Sequence, residues 1–229
     1  MTRTVTYGTD IREAMTVEAR AQEEGFSDRQ GEVLDVVLSL LVEGKEALTM
    51  SAVARRASCS KETLYKWFGD RDGLLRATVQ WQASKVRAGN WDRQKLDASS
   101  LEESLAAFWA NWLGVIASRT SIALNRVAIS HAGSAKSNLG AIVLANGRFA
   151  IGERLKPLLE AGREAGLLAF DDAEEAFRTF FGLVGRDLQI RLLLGEVIAL
   201  TETDRRREAA RATKQFFALY GARNVNPQT

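Results

Sequence analysis

The residues best equipped for chemistry lie together in Thr49-Met-Ser-Ala-Val-Ala-Arg-Arg-Ala-Ser-Cys-Ser-Lys-Glu-Thr-Leu-Tyr-Lys-Trp-Phe68. At helical spacing, Leu64 and Phe68 fall together with Trp67 beside them, a face suited to a core. Lys61, Glu62, Tyr65 and Lys66 fall on the other side. Two cations, a phenol and a carboxylate on one helix face suit phosphate oxygens and base edges in a major groove. Arg55, Arg56, Lys61, Lys66 and Arg71 outnumber Glu62 and Asp70, a local net charge of +3. The preceding segment from Ser27 to Glu46 is net acidic, so positive charge is concentrated on this motif. Scattered exposed charges usually form only a solvated helix face; that concentration favours DNA contact for Lys61, Tyr65 and Lys66. Thr49, Ser51, Ser60, Thr63 and Arg71 are expected to position phosphates rather than read bases.

Such a face needs two short helices held at a fixed angle. Thr49 caps the first, whose Val53, Ala54 and Ala57 make a small apolar side. A break follows at Ser58-Cys59, and Ser60 caps the second. Small residues let the two helices cross closely, which is helix-turn-helix geometry over Thr49–Phe68.

Apolar residues recur at helical spacing almost throughout the rest of the chain, and β-type alternation is scarce. Helices are expected near 11–24, 28–43, 50–57, 61–68 and 71–88, then 101–118, 121–131, 138–165, 172–195 and 202–220. Ser27-x-x-Gln30, Ser100-x-x-Glu103, Asp171-x-x-Glu174 and Asp10-x-x-Glu13 read as capping boxes at helix starts. The fold class is all-α. A polar, aperiodic stretch from Ala88 to Ser99 reads as a connection between two parts.

The chain's 229 residues carry a formal net charge of only +2, so whole-chain charge does not point to nucleic acid. One cysteine, Cys59, excludes an intrachain disulfide and fits a reducing cytoplasm. No apolar run approaches the ~20 residues of a membrane helix, and no secretory leader opens the sequence, so a cytoplasmic location is expected. With one Cys and one His there is no metal cluster, no His-Glu-x-x-His and little room for nucleophile–base chemistry. Phosphate-cradling glycine motifs are also missing. These absences argue against an enzyme and imply neither cofactor nor metal.

Ser60-Lys-Glu-Thr-Leu-Tyr-Lys-Trp-Phe68, followed by Gly-Asp-Arg-Asp-Gly-Leu74-Leu75, resembles the recognition-helix signature of the TetR family of transcriptional regulators. Three departures stand out. Ser58 occupies the turn position usually held by glycine, where a left-handed backbone costs another residue about 1–2 kcal/mol. Glu62 stands where a small residue is common. Residues 1–26 are not basic, so a minor-groove arm is not expected of them. The resemblance implies an N-terminal three-helix DNA-binding domain over 27–75, behind a partly helical extension at 1–26. A larger C-terminal helical bundle over 76–229 would hold the ligand-binding and dimerisation functions.

The later half is similar to the AefR-like subgroup through Ala123-Leu-Asn-Arg126-Val, Asn146-Gly-Arg-Phe149, Ala165-Gly-Leu-Leu168 with Asp171-Asp-Ala, and Phe216-Phe-Ala-Leu-Tyr-Gly221. The implied function is sequence-specific transcriptional regulation: a homodimeric repressor on a palindromic double-stranded operator, released by an unidentified small-molecule effector. The alternative is a similar DNA binder without an effector, controlled by a protein partner or acting as a nucleoid component. Phe108, Trp109, Trp112 and Phe149 are candidates to line an effector cavity, though aromatics at helical spacing are equally core residues. Arg126 and His131 are candidate polar anchors; a structural ion pair and a solvated helix end are the competing readings. Two apolar stripes, Phe177, Phe180, Phe181, Val184 and Leu188, then Ala209, Phe216, Phe217 and Tyr220, are expected at the dimer interface.

Overall fold

The computed structural model describes residues 25–44, 48–86, 91–130, 132 and 138–222. The helix expected at 11–24, its cap at Asp10, and His131 lie outside them. Four helices open the described chain: α1 (Asp28–Glu43), α2 (Met50–Arg56), α3 (Lys61–Phe68) and α4 (Arg71–Ser84). Each starts where a side chain answers an orphan N–H. Ser27 and Gln30 form the expected capping box, Thr49 accepts from Ala52 N, Ser60 from Thr63 N and Asp70 from Gly73 N. Val33, Leu34 and Val37 of α1 pack against Val53, Leu64, Phe68 and Leu74 to form the core of this head.

The linking helix α4 belongs to two cores at once. Leu74 and Ala77 close the head. Leu75 packs with Ala128 and Leu139, and Val79 with Leu124 and Ile142. A single rigid helix therefore carries contacts from the head into the second bundle.

That bundle comprises α5 (Ala98–Ile116), α6 (Arg119–Ser130), α7 (Leu139–Val143), a π-helical stretch (Leu144–Phe149), α8 (Ala150–Glu164), α9 (Ala173–Gly185), α10 (Leu188–Leu193) and α11 (Glu202–Tyr220). Its centre is aromatic. Trp109 lies 5.1 Å from Phe180 between ring centroids, and Phe180 stacks on Phe216 at 4.1 Å with planes 9° apart. Leu101, Leu105 and Leu155 complete the seal with no exposure at all. Leu168 and Gly221 form an isolated antiparallel bridge that ties the end of α11 to the α8–α9 connection.

Several boundaries differ from the sequence reading. Helix α5 starts three residues early, because Asp97 and Ser100 make the capping box instead of Ser100 and Glu103. Asp172, not Asp171, caps α9 by accepting from Glu174 N at 2.9 Å. The helix expected over 172–195 is two, separated where Arg186 takes a left-handed φ of 43°. The helix expected over 138–165 is helical from Leu139 to Glu164, but its middle, Leu144–Phe149, is π-helical.

Candidate nucleic-acid interface and interior cavity

The turn between α2 and α3 closes as a Schellman motif: Cys59 N donates to Ala54 O at 3.0 Å and Ser58 N to Arg55 O at 3.4 Å. This closure puts Ser58 at φ 50°, the left-handed value expected from its alignment with a glycine position. Arg29 of α1 clamps the turn, donating to Ala57 O at 2.6 Å and to Ser58 O at 3.4 Å. Ala54 and Ala57 are buried at the crossing, so α2 and α3 approach without a bulky side chain between them.

Helix α3 then presents two distinct sides. Leu64 and Phe68 are buried and Trp67 is half-buried, while Lys61, Glu62, Tyr65 and Lys66 are exposed. Tyr65 leaves 52% of its surface open, a large amount for an aromatic residue with no partner chain over it. Glu62 is held below the ordinary glutamate range by hydrogen bonding to its own backbone N–H and to the Ser60 hydroxyl. It is thus a built-in anion at the start of α3, where the helix dipole favours negative charge.

The hydroxyls expected to position phosphates divide by task. Thr49 and Ser60 use their oxygens as helix caps, Ser60 also sharing a 3.1 Å hydrogen bond with Thr63. Ser51 is exposed in the first turn of α2. Arg71 Nε donates to Leu48 O at 3.0 Å, which fixes the guanidinium beside the approach to α2. Arg56 pairs with Glu43 at 2.6 Å. Ser51, Lys61, Tyr65, Lys66 and Arg71 are all exposed.

Deeper in the second bundle lies a cavity of about 240 Å³. Val79, Gln82, Ala83 and Val86, at the C-terminal end of α4, form one wall. Trp112 and Ile116 of α5, Leu124 and Asn125 of α6, Arg148 of the π-helical stretch and Phe181 of α9 contribute the others. Of the residues expected around a cavity, Trp112 is in the wall. Phe108 and Trp109 are not; they are sealed in the core, 1% and 0% exposed. Arg126 donates to Leu192 O at 2.9 Å and Leu193 O at 3.1 Å, capping the end of α10 instead of pairing with a carboxylate. Phe149 is not in the wall; it is 36% exposed, with the Arg148 guanidinium 5.5 Å from its ring.

Gln82, Asn125 and Arg148 were absent from the sequence expectation. For Gln82 a signal was present: Val79, Ala83 and Val86 flank it at helical spacing, which puts this amide on an apolar face. Arg148 lay inside Asn146-Gly-Arg-Phe149, but its neighbour Phe149 drew the assignment. Arg148 pairs with Glu174 at 3.2 Å and lies 4.9 Å from the Phe177 ring.

The apolar stripes expected at a two-fold interface are mostly turned inward. Phe177, Phe180, Val184, Ala209 and Phe216 are buried within this chain, because α9 and α11 both pack on α5. Phe181, Leu188, Phe217 and Tyr220 keep partial exposure, and Tyr220 shares a 3.2 Å hydroxyl bond with Thr179. Leu219, which falls in the second of these stripes, is 63% exposed.

Residues 35–78 match the family of bacterial regulatory proteins of tetR type. Residues 103–222 match the C-terminal domain of AefR-like transcriptional repressors. A TetR transcriptional regulator from Agrobacterium tumefaciens is 47% identical, with a TM-score of 0.76 over 89% of this chain and all of that one. The flavonoid-responsive regulator FrrA is 26% identical, with a TM-score of 0.63 over 85% of this chain and 98% of its own. The transcriptional regulator BetI of Paraburkholderia phytofirmans is 31% identical over 36% of this chain. The chain spans about half the length of the curated relatives it matches, 53% in that case.

Proposed function

Because the chain belongs to the TetR family of transcriptional regulators, we propose that it is a homodimeric repressor of a palindromic operator, released when a small molecule fills the cavity beside Trp112. In this reading residues 27–75 are the reading head and 76–229 the regulatory and dimerisation part. Lys61, Tyr65 and Lys66 meet base edges and backbone in the major groove. Thr49, Ser51, Ser60, Thr63 and Arg71 set the register on phosphates. It is a regulator and not an enzyme, acting in the cytoplasm where its operator lies.

The observation that carries the release mechanism is the shared linking helix. Leu74 and Ala77 of α4 are packed in the head, while Val79, Gln82 and Ala83 of the same helix form a cavity wall. A ligand that displaces this wall shifts the population of head positions away from the one that spans two adjacent major grooves. A cavity in the bundle also weighs against control by a protein partner alone. FrrA is, by its name, flavonoid-responsive, which supports a ligand-released reading here.

Recovery of bound fragments from sheared genomic DNA tests the reading. An inverted repeat with half-sites one helical turn apart, about 34–36 Å, is expected. Enrichment of no sequence above background would remove the operator assignment. Loss of the recovered DNA on adding a metabolite extract would identify the release arm.

A further inference from the structure

The cavity walls carry a chemical preference. Resting on the release reading above, we propose that the ligand is an uncharged aromatic molecule bearing a hydroxyl group, which donates to the side chain of Gln82.

Gln82 is 5% exposed, and its Nε2 donates to Ser118 Oγ at 3.2 Å. Ser118 in turn donates to Val115 O at 2.7 Å, so its oxygen is left to accept and the amide orientation of Gln82 is set. The other end of that amide, Oε1, is buried without a hydrogen-bond partner. Buried acceptors are nearly always satisfied, and one left over beside a cavity identifies what the occupant must bring: a donor. Asn125, a second amide in the wall, commits its Nδ2 to Ser121 O at 2.8 Å.

Charge argues for a neutral ligand. Arg148, the charged residue among the described wall residues, is already answered by Glu174 at 3.2 Å and by the ring faces of Phe177 and Phe181 at 4.9 and 5.6 Å. An anionic ligand would have to share Arg148 with Glu174 and meet that carboxylate's repulsion, and a cationic one would meet Arg148 itself. Apart from Ser121 and Gln189, the remaining wall is apolar, with Trp112 and Phe181 edge-to-face at 4.8 Å. Two rings at this angle offer a face and an edge to a third ring. A space of about 240 Å³ keeps the ligand compact.

A matched set on one scaffold separates these demands: 2-naphthol, 2-methoxynaphthalene and 2-naphthoate, titrated calorimetrically into the full-length protein. The naphthol should bind about tenfold tighter than its methyl ether, the worth of one donated hydrogen bond in a dry site, and the carboxylate should bind weakest. Gln82→Leu should erase the gap between naphthol and ether. Equal binding of naphthol and ether, tightest binding of the carboxylate, or no binding of any member would overturn the assignment. The ranking in the unaltered protein decides even where the variant folds poorly. If naphthol binds in the expected order yet a saturated protein still retains its operator, the release mechanism fails while the ligand chemistry stands.

Discussion

The guanidinium of Arg154, on α8, donates to the main-chain oxygen of Ala83 in the last turn of α4, at 2.5 Å. A second bond from the same nitrogen reaches Val86 O at 3.3 Å. Carbonyls at a helix C-terminus lack intrahelical donors and carry the negative end of the dipole, so a cation is well placed there. Burial pushes the Arg154 pKa down from its ordinary value, although a guanidinium stays charged. The helix packed in the N-terminal head at one end is thus tied to the second bundle at the other.

Arg154→Met keeps most of the aliphatic stem and removes both bonds. The thermal midpoint should fall on the order of 5 °C. Ligand binding should persist, while operator affinity should change less on ligand saturation than in the parent protein. Full release by the variant, measured by fluorescence anisotropy on labelled operator, would show that this tie transmits nothing.

Tyr65→Ala and Lys66→Ala should weaken operator binding while the dimer persists in sedimentation. For Lys66 the loss should be similar on all sequences, and the slope of log affinity against log salt should flatten by about 1. For Tyr65 the loss, of order 1–3 kcal/mol, should be larger on operator than on random DNA. Unchanged binding by both would remove α3 from the groove.

On the proposed DNA face, Glu62 opposes DNA while it supports its own helix. Hydrogen bonding to its own backbone N–H and to Ser60 keeps its carboxylate ionised into mildly acidic solution. Its folded pKa lies below the unfolded one, so the stability it contributes is complete above the ordinary glutamate range and is lost as pH falls through the lowered value. Glu62→Gln should flatten that acidic limb of the stability profile. It should also raise affinity for random DNA at low salt, since a like charge leaves the interface. Lower affinity for random DNA would contradict the placement.

Ser58 holds a left-handed backbone at φ 50° without the freedom of glycine. Ser58→Gly should relieve the strain, stabilising the protein by up to about 1 kcal/mol after the entropy of the unfolded glycine is subtracted. Ser58→Val should do the opposite. A denaturant midpoint that moves the wrong way for either variant would mean that the turn is held by Arg29 alone.

At Gly31 an added Cβ would sit 2.9 Å from Trp81 Cη2. The indole has little room to retreat, because its Nε1 donates to Asp35 at 2.8 Å. Gly31→Ala should therefore cost about 1–3 kcal/mol by overpacking the joint between head and linking helix. An unfolding midpoint equal to the parent's would show that Trp81 can re-seat freely.

What was legible in the sequence is what local chemistry decides. Ser27, Thr49 and Ser60 each end the chain's freedom within three residues of themselves, so α1 to α3 start where their caps say. At Ser100 two candidate caps lay three residues apart, and the preceding Asp97 was the one that reached back. The split at Arg186 has no proline to announce it; a non-glycine residue in a left-handed turn is imposed by packing from elsewhere. The cavity was the least legible part. Trp109 and Trp112 differ little in sequence context, yet one is sealed between Phe177 and Phe180 and the other faces open space. Only the arrangement of α4, α5 and α9 around them separates core from wall.

The π-helical stretch at Leu144–Phe149 has a consequence for how such a pocket changes over generations. A π-turn holds one residue more than the α-turn it replaces. Loss of a single codon there would let α7 run into α8 as plain α-helix, with Leu139 and Leu155 kept near their present partners. The same loss would withdraw or rotate Gly147 and Arg148, which face the cavity. Length at this point is thus an inheritable dial on the shape of the cavity, separate from side-chain substitution and gentle on the rest of the fold.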